Sequence, residues 1–511
     1  TLRSRDVGWF AGDVRFFDAD GRIVLEADDV RFARTERTVP MERSLFELDW
    51  VPRPLASNDV PSGAGARGRW LIVTDDGSVG DAVAGKLADL GGECVCVPPA
   101  PLDALRARVL DDAGWRGVLY VAAPDDAVAP GGTPDGSGDS CEPQRAVERR
   151  CGTAVALVQA LDASSGPSRP RLWLVTRNAQ SLGPEQRVHP DQAPLWGLGR
   201  SIALEHPELR CTLVDLPASD LPAAGDDRTV GDDAGDSLRG ADSSGDEALV
   251  AELLADDGET QVAYRGGARL AARLHRRPPE RALASVPPEF DGNGTYLITG
   301  GLGALGLAVA EWMARAGAGA LALVGRRRPT RDAERRITAL QSAGCRVQTF
   351  AADVTRPADL ESVMAAIDGT MPPLRGVIHG AGIMEDMTLA RMNARQLADV
   401  LAPKVAGAFH LHRSTRSRAL DFFVLFSSAS AVLGAPGQAN YAAANAYLDA
   451  LAHRRRAQGL PALSINWSAW AQVGLAAAQE NRAARLAASG LLGLDTAQGL
   501  AALGALLGAS S

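Results

Sequence analysis

The pattern of apolar and polar residues along the chain predicts short buried strands that alternate with helices. Between residues 69 and 97, an apolar run, a loop, a helical stretch and a second apolar run follow one another in the order of a βαβ unit. Runs that are apolar throughout indicate strands covered on both faces of a parallel sheet. Further runs lie at Gly117–Val121, Arg171–Val175, Cys211–Val214, Tyr296–Thr299, Ala320–Val324, Gly376–Ile378 and Phe422–Phe426. The predicted fold class is therefore α/β, with two doubly wound parallel sheets in succession.

Other patterns mark the ends of these two α/β units. Alternating residues on either side of Asp18–Gly21 predict a β-hairpin near the start of the chain. Residues 262–276 read as strand, glycine turn and strand, which closes the first unit, and a proline-rich linker at 277–294 leads into the second. Two stretches rich in Gly, Ser, Pro and Asp, 123–141 and 218–246, are expected to be mobile loops. The predicted divisions are 1–43, 44–282, 283–480 and a helical tail and linker at 481–511.

A glycine-rich turn follows the strand at Tyr296–Thr299 and precedes a helix. Gly301, Gly303 and Gly306 permit a tight turn and a close backbone approach, so the N-terminus of the helix can face a pyrophosphate. The next strand ends in a cluster of arginines, which suits the 2′-phosphate of NADP, whereas an acidic residue there would bind the 2′-hydroxyl of NAD. The second unit is thus predicted to be a Rossmann-like half that binds NADPH.

The matching loop of the first unit, residues 75–80, predicts a degenerate site. It carries Asp75 and Asp76 where a phosphate would lie, and it lacks the glycine spacing. Because like charges repel a pyrophosphate, we expect this unit to bind no nucleotide and to support the second unit instead.

A second polar cluster follows the strand at Phe422–Phe426. Ser427 and Ser428 come directly after the strand, and a helix beginning near Asn440 would place Tyr441 and Asn445 one turn apart on one face. Both side chains can then point back at the serines. An arbitrary Tyr-x-x-x-Asn pair is usually a structural contact, but the glycine turn in the same unit favours a proton-donor site.

Lysine usage supports this interpretation. The chain has 51 arginines and only two lysines, Lys86 and Lys404, of which one lies in the second unit. An ammonium is a compact charge with three donors that fits between ribose hydroxyls and a phenol, whereas a guanidinium is a planar fork. The alternative is a solvated surface lysine.

Composition excludes several other classes of function. The net charge of -9 and arginine clusters without interleaved aromatic residues disfavour nucleic-acid binding. The six cysteines form no CxxC pair and suggest neither a disulfide framework nor a metal site, so a reducing cytoplasm is expected. No apolar stretch reaches the length of a membrane span, so no membrane partner is expected.

These motifs resemble those of the short-chain dehydrogenase/reductases and, among them, the ketoreductase domains of modular polyketide synthases. Most members of the wider superfamily carry Tyr-x-x-x-Lys, whereas this chain has Asn445 after Tyr441 and its lysine upstream at Lys404, as is typical of the polyketide and fatty-acid synthase branch. Residues 194–216 resemble the structural subdomain of such ketoreductases. The likeness is carried by TGGLGALG at 299–306, Asp353-Val354, HGAGIMED at 379–386, APKVAGAFHLH at 402–412 and the Ser/Tyr/Asn cluster.

The resemblance also suggests how the ends of the chain are used. Residues 1–43 look like the closing strands of a preceding dehydratase domain, to which no activity is assigned because the first histidine of the chain is His189. A self-contained N-terminal hairpin is the alternative. Residues 468–492 resemble a lid over the substrate cleft.

The resemblance implies NADPH-dependent reduction of a 3-oxoacyl thioester, carried on an acyl carrier protein, to a 3-hydroxyacyl thioester. In that reaction Tyr441 protonates the carbonyl oxygen, Ser428 holds it, Lys404 lowers the pKa of Tyr441, and Asn445 orients Lys404 or a relay water. Dehydratase, ketosynthase and acyltransferase domains are the implied neighbours. The alternative is a reductively silent scaffold domain. The expected cofactor-binding residues are Thr299, Gly300, Gly301, Gly303, Ala304, Leu305, Gly306, Arg326, Arg327, Asp353, Val354, His379, Gly380, Ala381, Gly382, Lys404 and Tyr441.

Two of these positions carry further expectations. Asp353 follows a strand and would meet the adenine amine, although it could also cap the next helix. The stretch His379–Gly382 would lie beneath the nicotinamide ribose.

The resemblance further implies the configuration of the product. One stereochemical class carries Leu-Asp-Asp after the HxAG stretch, and the opposite class carries a tryptophan eight residues before the catalytic tyrosine. Here Leu433 stands at the tryptophan position, which favours the first class and a D-configured, B-type alcohol. The residues expected to control the configuration are Met384, Glu385, Asp386, Leu433, Pro436 and Asn440.

Overall fold

Three β-sheets are present in the computed structural model, counted over the residues that it describes. Those residues are 2–6, 9–17, 23–33, 45–55, 65–74, 77–100, 102–110, 114–122, 142–164, 169–183, 186–218, 238–277, 289–474 and 493–508.

The first sheet is antiparallel and has three strands. They are β1 Leu2–Asp6, β2 Trp9–Phe17 and β3 Ile23–Ala33. The pairing of β2 with β3 confirms the predicted hairpin, whereas β1 was not predicted. The turn expected at Asp18–Gly21 lies outside the described residues. This sheet belongs to a compact unit of its own, formed by Thr1–Glu47 and Arg276–Ala282.

The second sheet organises the first α/β half, residues 48–275. Its strands follow the order β4-β11-β10-β9-β8-β7-β5-β6, in which β5 to β10 are parallel. β11 returns antiparallel to β10 through Gly266 and Gly267, both with positive φ, as the sequence predicts. The elements are β4 Phe46–Pro52, β5 Gly68–Thr74, α1 Gly77–Asp89, β6 Gly92–Val97, α2 Leu102–Leu110, β7 Trp115–Val121, α3 Glu142–Ala163, β8 Arg171–Arg177, α4 Pro194–Glu205, β9 Thr212–Leu216, α5 Leu238–Leu254, β10 Gln261–Arg265 and β11 Ala268–Arg276.

The third sheet organises the second α/β half, residues 289–508. It consists of six parallel strands in the order β14-β13-β12-β15-β16-β17. The elements are β12 Thr295–Thr299, α6 Ala304–Arg315, β13 Ala320–Gly325, α7 Arg331–Ser342, β14 Arg346–Ala351, α8 Pro357–Thr370, β15 Leu374–His379, a short 3₁₀-helix Leu389–Arg391, α9 Ala394–Thr415, β16 Phe422–Ser428, α10 Ser430–Leu433, α11 Ala439–Ala457, β17 Leu463–Trp467 and α12 Thr496–Gly508.

This strand order reverses direction between β12 and β15. Chain connections leave β12 toward β13 on one side and return to β15 on the other, which opens a crevice at the carboxyl ends of the two strands. Both halves are Rossmann-like, as predicted, and the crevice of the second half is where a dinucleotide site is expected.

The two α/β halves pack on each other through helices. α4 lies against α11, and α3 lies against α9. One hydrophobic cluster joins Leu157 and Trp196 of the first half with Leu401 and Ala443 of the second. The backbones come so close that a Cβ added to Gly197 would lie 2.2 Å from the carbonyl oxygen of Ala442. The halves therefore share a core and belong to one compact unit.

Some predicted boundaries need correction. The loop expected at 218–246 ends earlier, because α5 begins at Leu238. Residues 77–80, expected in a loop, form the first turn of α1. Asp75, Asp76 and most of the expected lid lie outside the described residues. The tail contains the expected helix, α12, which packs on α6. None of the helices in the described part is long and apolar enough to cross a bilayer.

Candidate active site

Ser428, Tyr441 and Lys404 are brought together by three different elements. Ser428 is the last residue of β16, Tyr441 lies in the first turn of α11, and Lys404 lies in the middle of α9. All three side chains line one cavity of about 690 Å³, here called the larger cavity. The structure thus brings together three of the four predicted catalytic residues at the carboxyl end of the sheet.

Lys404 is buried and its ammonium faces the site. The residue is 3% exposed, and Nζ donates a hydrogen bond of 2.9 Å to the carbonyl oxygen of Phe426. Nζ also lies 5.5 Å from the centroid of the Tyr441 ring. Burial lowers the pKa of Lys404 to about 8, and the Asp449 carboxylate partly opposes this shift. A cation that titrates near neutral pH therefore lies beside the candidate proton donor.

Of the two roles expected for Asn445, orienting Lys404 or a relay water, the first is not supported, because no hydrogen bond joins Asn445 to Lys404 in the described structure. The Nδ2 of Asn445 donates to the backbone oxygen of Tyr441 at 2.7 Å, one helical turn away. Its Oδ1 is buried and, among the described residues, has no hydrogen-bond partner. A buried orphan acceptor is costly, so this atom is suited to accept from a water or a ligand group.

Ser428 accepts hydrogen bonds from its own loop. Both the backbone N–H of Ser430 and its hydroxyl group donate to the Ser428 Oγ, at 3.2 and 3.0 Å. These bonds orient the Ser428 hydroxyl, which remains able to donate its own proton toward the cavity.

The glycine turn between β12 and α6 has the geometry that the sequence predicts. Gly300 has φ of +70°, which favours glycine, and a Cβ on Gly306 would lie 2.3 Å from the carbonyl oxygen of Gly300. α6 begins at Ala304, so its N-terminus faces the larger cavity. Of the predicted cofactor residues, the larger cavity is lined by Thr299, Gly300, Gly303, Ala304, Leu305, Gly306, Gly380, Ala381, Gly382, Lys404 and Tyr441.

A smaller cavity of about 280 Å³ adjoins the turn. Arg326, Asp353 and Val354 line it, together with Gly300 and Gly382, which also line the larger cavity. Asp353 Oδ1 accepts from the backbone N–H and the hydroxyl of Thr355, at 3.0 and 2.8 Å. The residue that caps α8 is Arg356. Asp353 therefore forms a local turn and is not the helix cap that the sequence offered as an alternative.

His379, Gly301 and Arg327 line neither of these cavities. His379 is fully buried, and its Nδ1 shares a hydrogen bond of 2.7 Å with the hydroxyl of Thr299. Burial, with help from the Lys404 charge, lowers the pKa of His379 to about 3. A neutral imidazole in this position fixes the ends of β12 and β15 to each other from beneath the site.

The residues expected to control the product's configuration lie along one edge of the larger cavity. Met384, Leu433 and Pro436 line it. Gln438 Nε2 donates to Asp386 Oδ1 at 3.0 Å. Asn440 is fully buried and donates to the carbonyl oxygen of Glu385 at 3.1 Å, so it supports this edge from behind.

A polar network behind the site was not found by sequence reasoning. Asp449 accepts hydrogen bonds from Ser464 at 2.5 Å and from Asn466 at 2.7 Å, and Asn466 also donates to the Ser427 hydroxyl at 3.1 Å. Burial raises the pKa of Asp449, whereas its hydrogen bonds lower it. The only sequence signal was the spacing of Asp449, two turns after Tyr441 on the same helix.

Two family models match the chain. The one described as "KR domain" matches residues 294–472, and the one described as "Polyketide synthase extender module SpnB, Rossmann fold domain" matches residues 48–274. The two ranges correspond to the second and first α/β halves.

Curated relatives are much longer than this chain. One phenolphthiocerol/phthiocerol polyketide synthase protein of Mycobacterium tuberculosis (strain CDC 1551 / Oshkosh) is 33% identical over 98% of this chain and 26% of that protein. Polyketide synthase GfsB of Streptomyces halstedii is 36% identical over 93% of this chain and 8% of that protein. The chain thus spans about a quarter or less of these relatives.

Solved structures resemble the chain over nearly its whole length. An A1-type ketoreductase is 30% identical, with a TM-score of 0.74 and 92% of each chain covered. The first ketoreductase of the tylosin PKS is 30% identical, with a TM-score of 0.71, covering 92% of this chain and 91% of its own. A C2-type ketoreductase from a modular polyketide synthase is 30% identical, with a TM-score of 0.72, covering 91% of this chain and 92% of its own. Ketoreductases described as A1-type and as C2-type are therefore about equally similar to this chain.

Proposed function

The chain belongs to the ketoreductases of modular polyketide synthases, and from this premise we propose that it reduces the 3-oxo group of an acyl-carrier-protein-bound thioester with NADPH. The observation that carries the proposal is the convergence of Lys404, Ser428 and Tyr441 on one cavity beside a glycine turn. The product is a 3-hydroxyacyl thioester. Neighbouring dehydratase, ketosynthase and acyltransferase domains complete the proposed assembly.

The residues around the two cavities fit an NADP cofactor. Gly300 and Gly306 permit the tight turn, because a Cβ on either would meet the backbone of Gly380 or Gly300. The turn leaves the start of α6 facing the larger cavity, where a pyrophosphate would bind. Arg326 in the smaller cavity would bind the 2′-phosphate, and the Asp353 carboxylate would meet the adenine amine. When bound, the cofactor supplies the hydride that the 3-oxo carbon receives.

Tyr441 supplies the proton that the substrate carbonyl oxygen receives, and its neighbours assist this transfer. Tyr441 donates its phenolic proton to the carbonyl oxygen as negative charge develops there, and the Ser428 hydroxyl donates a hydrogen bond to the same oxygen. Lys404, with Nζ 5.5 Å from the Tyr441 ring, stabilises the phenolate that remains. The orphan Oδ1 of Asn445 is suited to hold a water that returns the proton.

We further propose a D-configured product. Leu433, which lines the larger cavity, leaves the space that an indole would occupy in the opposite class. Asp386 is held by Gln438, which lines the same cavity. A thioester arm would therefore be guided past Met384 and Asp386. Because solved ketoreductases of several types are equally similar in fold, these local residues are the basis of this assignment.

The competing function is a scaffold domain without reductase activity. Such a domain has no physical need for a buried lysine, because moving an ammonium out of water costs several kcal/mol. Lys404 is 3% exposed, and its hydrogen-bond partner among the described residues is a neutral carbonyl, which favours catalysis.

Two measurements test these proposals. NADPH fluorescence titration followed by turnover of a 2-methyl-3-oxo thioester should show binding and oxidation, and chiral analysis should show mainly the D-alcohol. Absence of NADPH binding would favour the scaffold, and binding without turnover would favour an inactive cofactor-binding domain. Recovery of mainly the L-alcohol would overturn the assignment of configuration while leaving the reductase activity intact.

A further inference from the structure

We propose that Glu205, the last residue of α4 in the first half, is a positioning residue that fixes two segments of the second half relative to each other at one edge of the substrate cleft. One carboxylate oxygen, Oε1, accepts a hydrogen bond from the backbone N–H of Gly437 at 2.8 Å. The other, Oε2, accepts from the backbone N–H of Leu389, also at 2.8 Å. The inference rests on the proposed reductase function, since it assigns a role within that site.

The two bonded N–H groups belong to the two segments that form this edge of the cleft. Segment 431–438 contributes Gly434, Pro436 and Gln438 to the wall of the larger cavity, and segment 384–391 contributes Met384. The segments also meet directly, because the N–H of Met387 donates to the carbonyl oxygen of Gly437 at 2.8 Å. Glu205 therefore closes a ring of hydrogen bonds around one edge of the cleft.

The negative charge of Glu205 is unfavourably placed at the end of its own helix, so its two hydrogen bonds must offset that cost. A negative charge at the C-terminal end of a helix is unfavourable, because it faces the partial negative charge of the last carbonyls. Of the residues that the structure describes, none with a positive charge forms an ion pair with Glu205. Its two backbone N–H partners therefore supply the compensation, and both belong to the second half.

Other side chains of the first half contact the same segments, but each holds only one of them. Gln159 Nε2 donates to the carbonyl oxygens of Leu389 and Met392, both at 2.8 Å. Ser201 Oγ accepts from the N–H of Ala435 at 3.2 Å, and Arg200 donates to the carbonyl oxygen of Ala431. Among the described side chains of the first half, Glu205 alone forms hydrogen bonds with both segments.

Glu205 is expected to affect how the substrate binds but not how the cofactor binds. The glycine turn at 299–306, which the cofactor would occupy, receives no hydrogen bond from Glu205, so cofactor affinity should not depend on it. The path of the thioester arm between the two segments should depend on it directly. Glu205 is thus expected to affect substrate KM and product configuration and to leave NADPH binding unchanged.

The test compares Glu205→Gln with Glu208→Gln in the full chain. Glutamine keeps the shape of Glu205, but its NH₂ group faces one of the two N–H donors, so one bond is lost. Glu208 is a matched control, because it lies three residues away in the same half and contacts His206 instead of the cleft segments. The readouts are KM and kcat for a 2-methyl-3-oxo thioester, the diastereomer ratio of the alcohol, Kd for NADPH, Tm, and amide hydrogen exchange of residues 384–391 and 431–438.

We expect Glu205→Gln to raise the thioester KM about tenfold, the loss that one charge-assisted hydrogen bond produces, and to lower the diastereomer ratio several-fold. NADPH Kd should stay within about twofold, and both segments should exchange faster. Glu208→Gln should match wild type. Unchanged KM and diastereomer ratio in Glu205→Gln would overturn the inference. A parallel fall in Tm, NADPH affinity and kcat would also overturn it, because it would show general destabilisation.

Failure of the proposed function gives a different result. If the wild-type chain binds NADPH but reduces no 3-oxo thioester, the reductase assignment fails, whatever Glu205 does. In that case the bridging role of Glu205 is tested by hydrogen exchange only. Faster exchange in both segments of Glu205→Gln would support the bridging role, and unchanged exchange would overturn it.

Discussion

The two lysines of the chain lie in contrasting environments, and this contrast supports the interpretation of Lys404. Lys86 pairs at the surface with Glu247 at 3.2 Å. Lys404 is buried and bonded to the carbonyl oxygen of Phe426. The rarity of lysine pointed to Lys404 from the sequence, but its actual partner could not be predicted, because Phe426 offers only a backbone atom that any residue could supply.

The buried ammonium predicts a characteristic pH dependence. Since the pKa of Lys404 is lowered to about 8, the charged form is present below pH 8 and is lost as the pH rises through that value. We expect kcat/KM to fall about tenfold per pH unit above 8. Lys404→Met should remove most activity and this dependence with it, whereas Lys86→Met should behave as wild type.

The contribution of Lys404 to stability should change in the opposite direction over the same range. The unfolded chain keeps the proton on Lys404 up to about pH 10.4, so between about pH 8 and 10 it binds more protons than the folded protein. The contribution of this group to the free energy of unfolding therefore rises with pH. The test compares wild type with Lys404→Met, because the cysteines whose pKa is raised by burial lower the stability of both proteins alike as the pH rises. A wild-type Tm that falls relative to that of Lys404→Met between about pH 8 and about pH 10 would contradict the assignment to Lys404.

Tyr441→Phe tests the proton donor. The variant keeps the ring that Lys404 faces and removes the hydroxyl, so we expect kcat to fall by about 10² to 10⁴ with little change in NADPH Kd. Tyr296→Phe is the control, because it removes a phenol of the same half that bonds to the N–H of Asp291 and lines neither cavity. Near wild-type turnover by Tyr441→Phe would refute the proposed role.

At the scale of elements, the position of Tyr441 in the site depends on where α11 lies. The helix starts where the sequence suggested, near Asn440, and Tyr441 points into the larger cavity. What fixes its position is the crossing with α4, where the absence of a side chain at Gly197 lets the two backbones touch. The sequence could not show this contact, because the two helices are more than 200 residues apart.

Gly197→Ala tests the crossing. A Cβ there would lie 2.2 Å from the Ala442 carbonyl oxygen, so the helices must separate, and we expect a loss of roughly 1–3 kcal/mol of stability together with reduced kcat. Gly152→Ala in α3 is the matched control, because nothing lies within 4 Å of the added methyl group. Alanine is favoured over glycine in a helix by ~0.5–1 kcal/mol, so this control should be neutral or stabilising. Equal Tm values for the two variants would disprove the tight crossing.

At the scale of the whole molecule, we propose that the first half supports the second. Its helices α3 and α4 cover α9 and α11, which carry Lys404 and Tyr441. We expect residues 283–511 expressed alone to be poorly soluble and weakly active, because the covered apolar faces would be exposed. Co-expression of residues 44–282 as a separate chain should restore activity. A second half that is soluble and fully active on its own would refute the supporting role.

The sequence by itself determined the α/β class, the two Rossmann-like halves and the glycine turn, and it predicted the Ser/Tyr/Lys cluster with the help of the family resemblance. These features are local, since they depend on apolar runs and on residue types at short spacing. Only the tertiary structure decided which backbone groups Lys404 and Asn445 bond, how α4 is joined to the cleft through Gly197 and Glu205, and that His379 bonds Thr299 and lines neither cavity. Those contacts join residues distant in the chain, often through backbone atoms, and side-chain patterns carry no record of them.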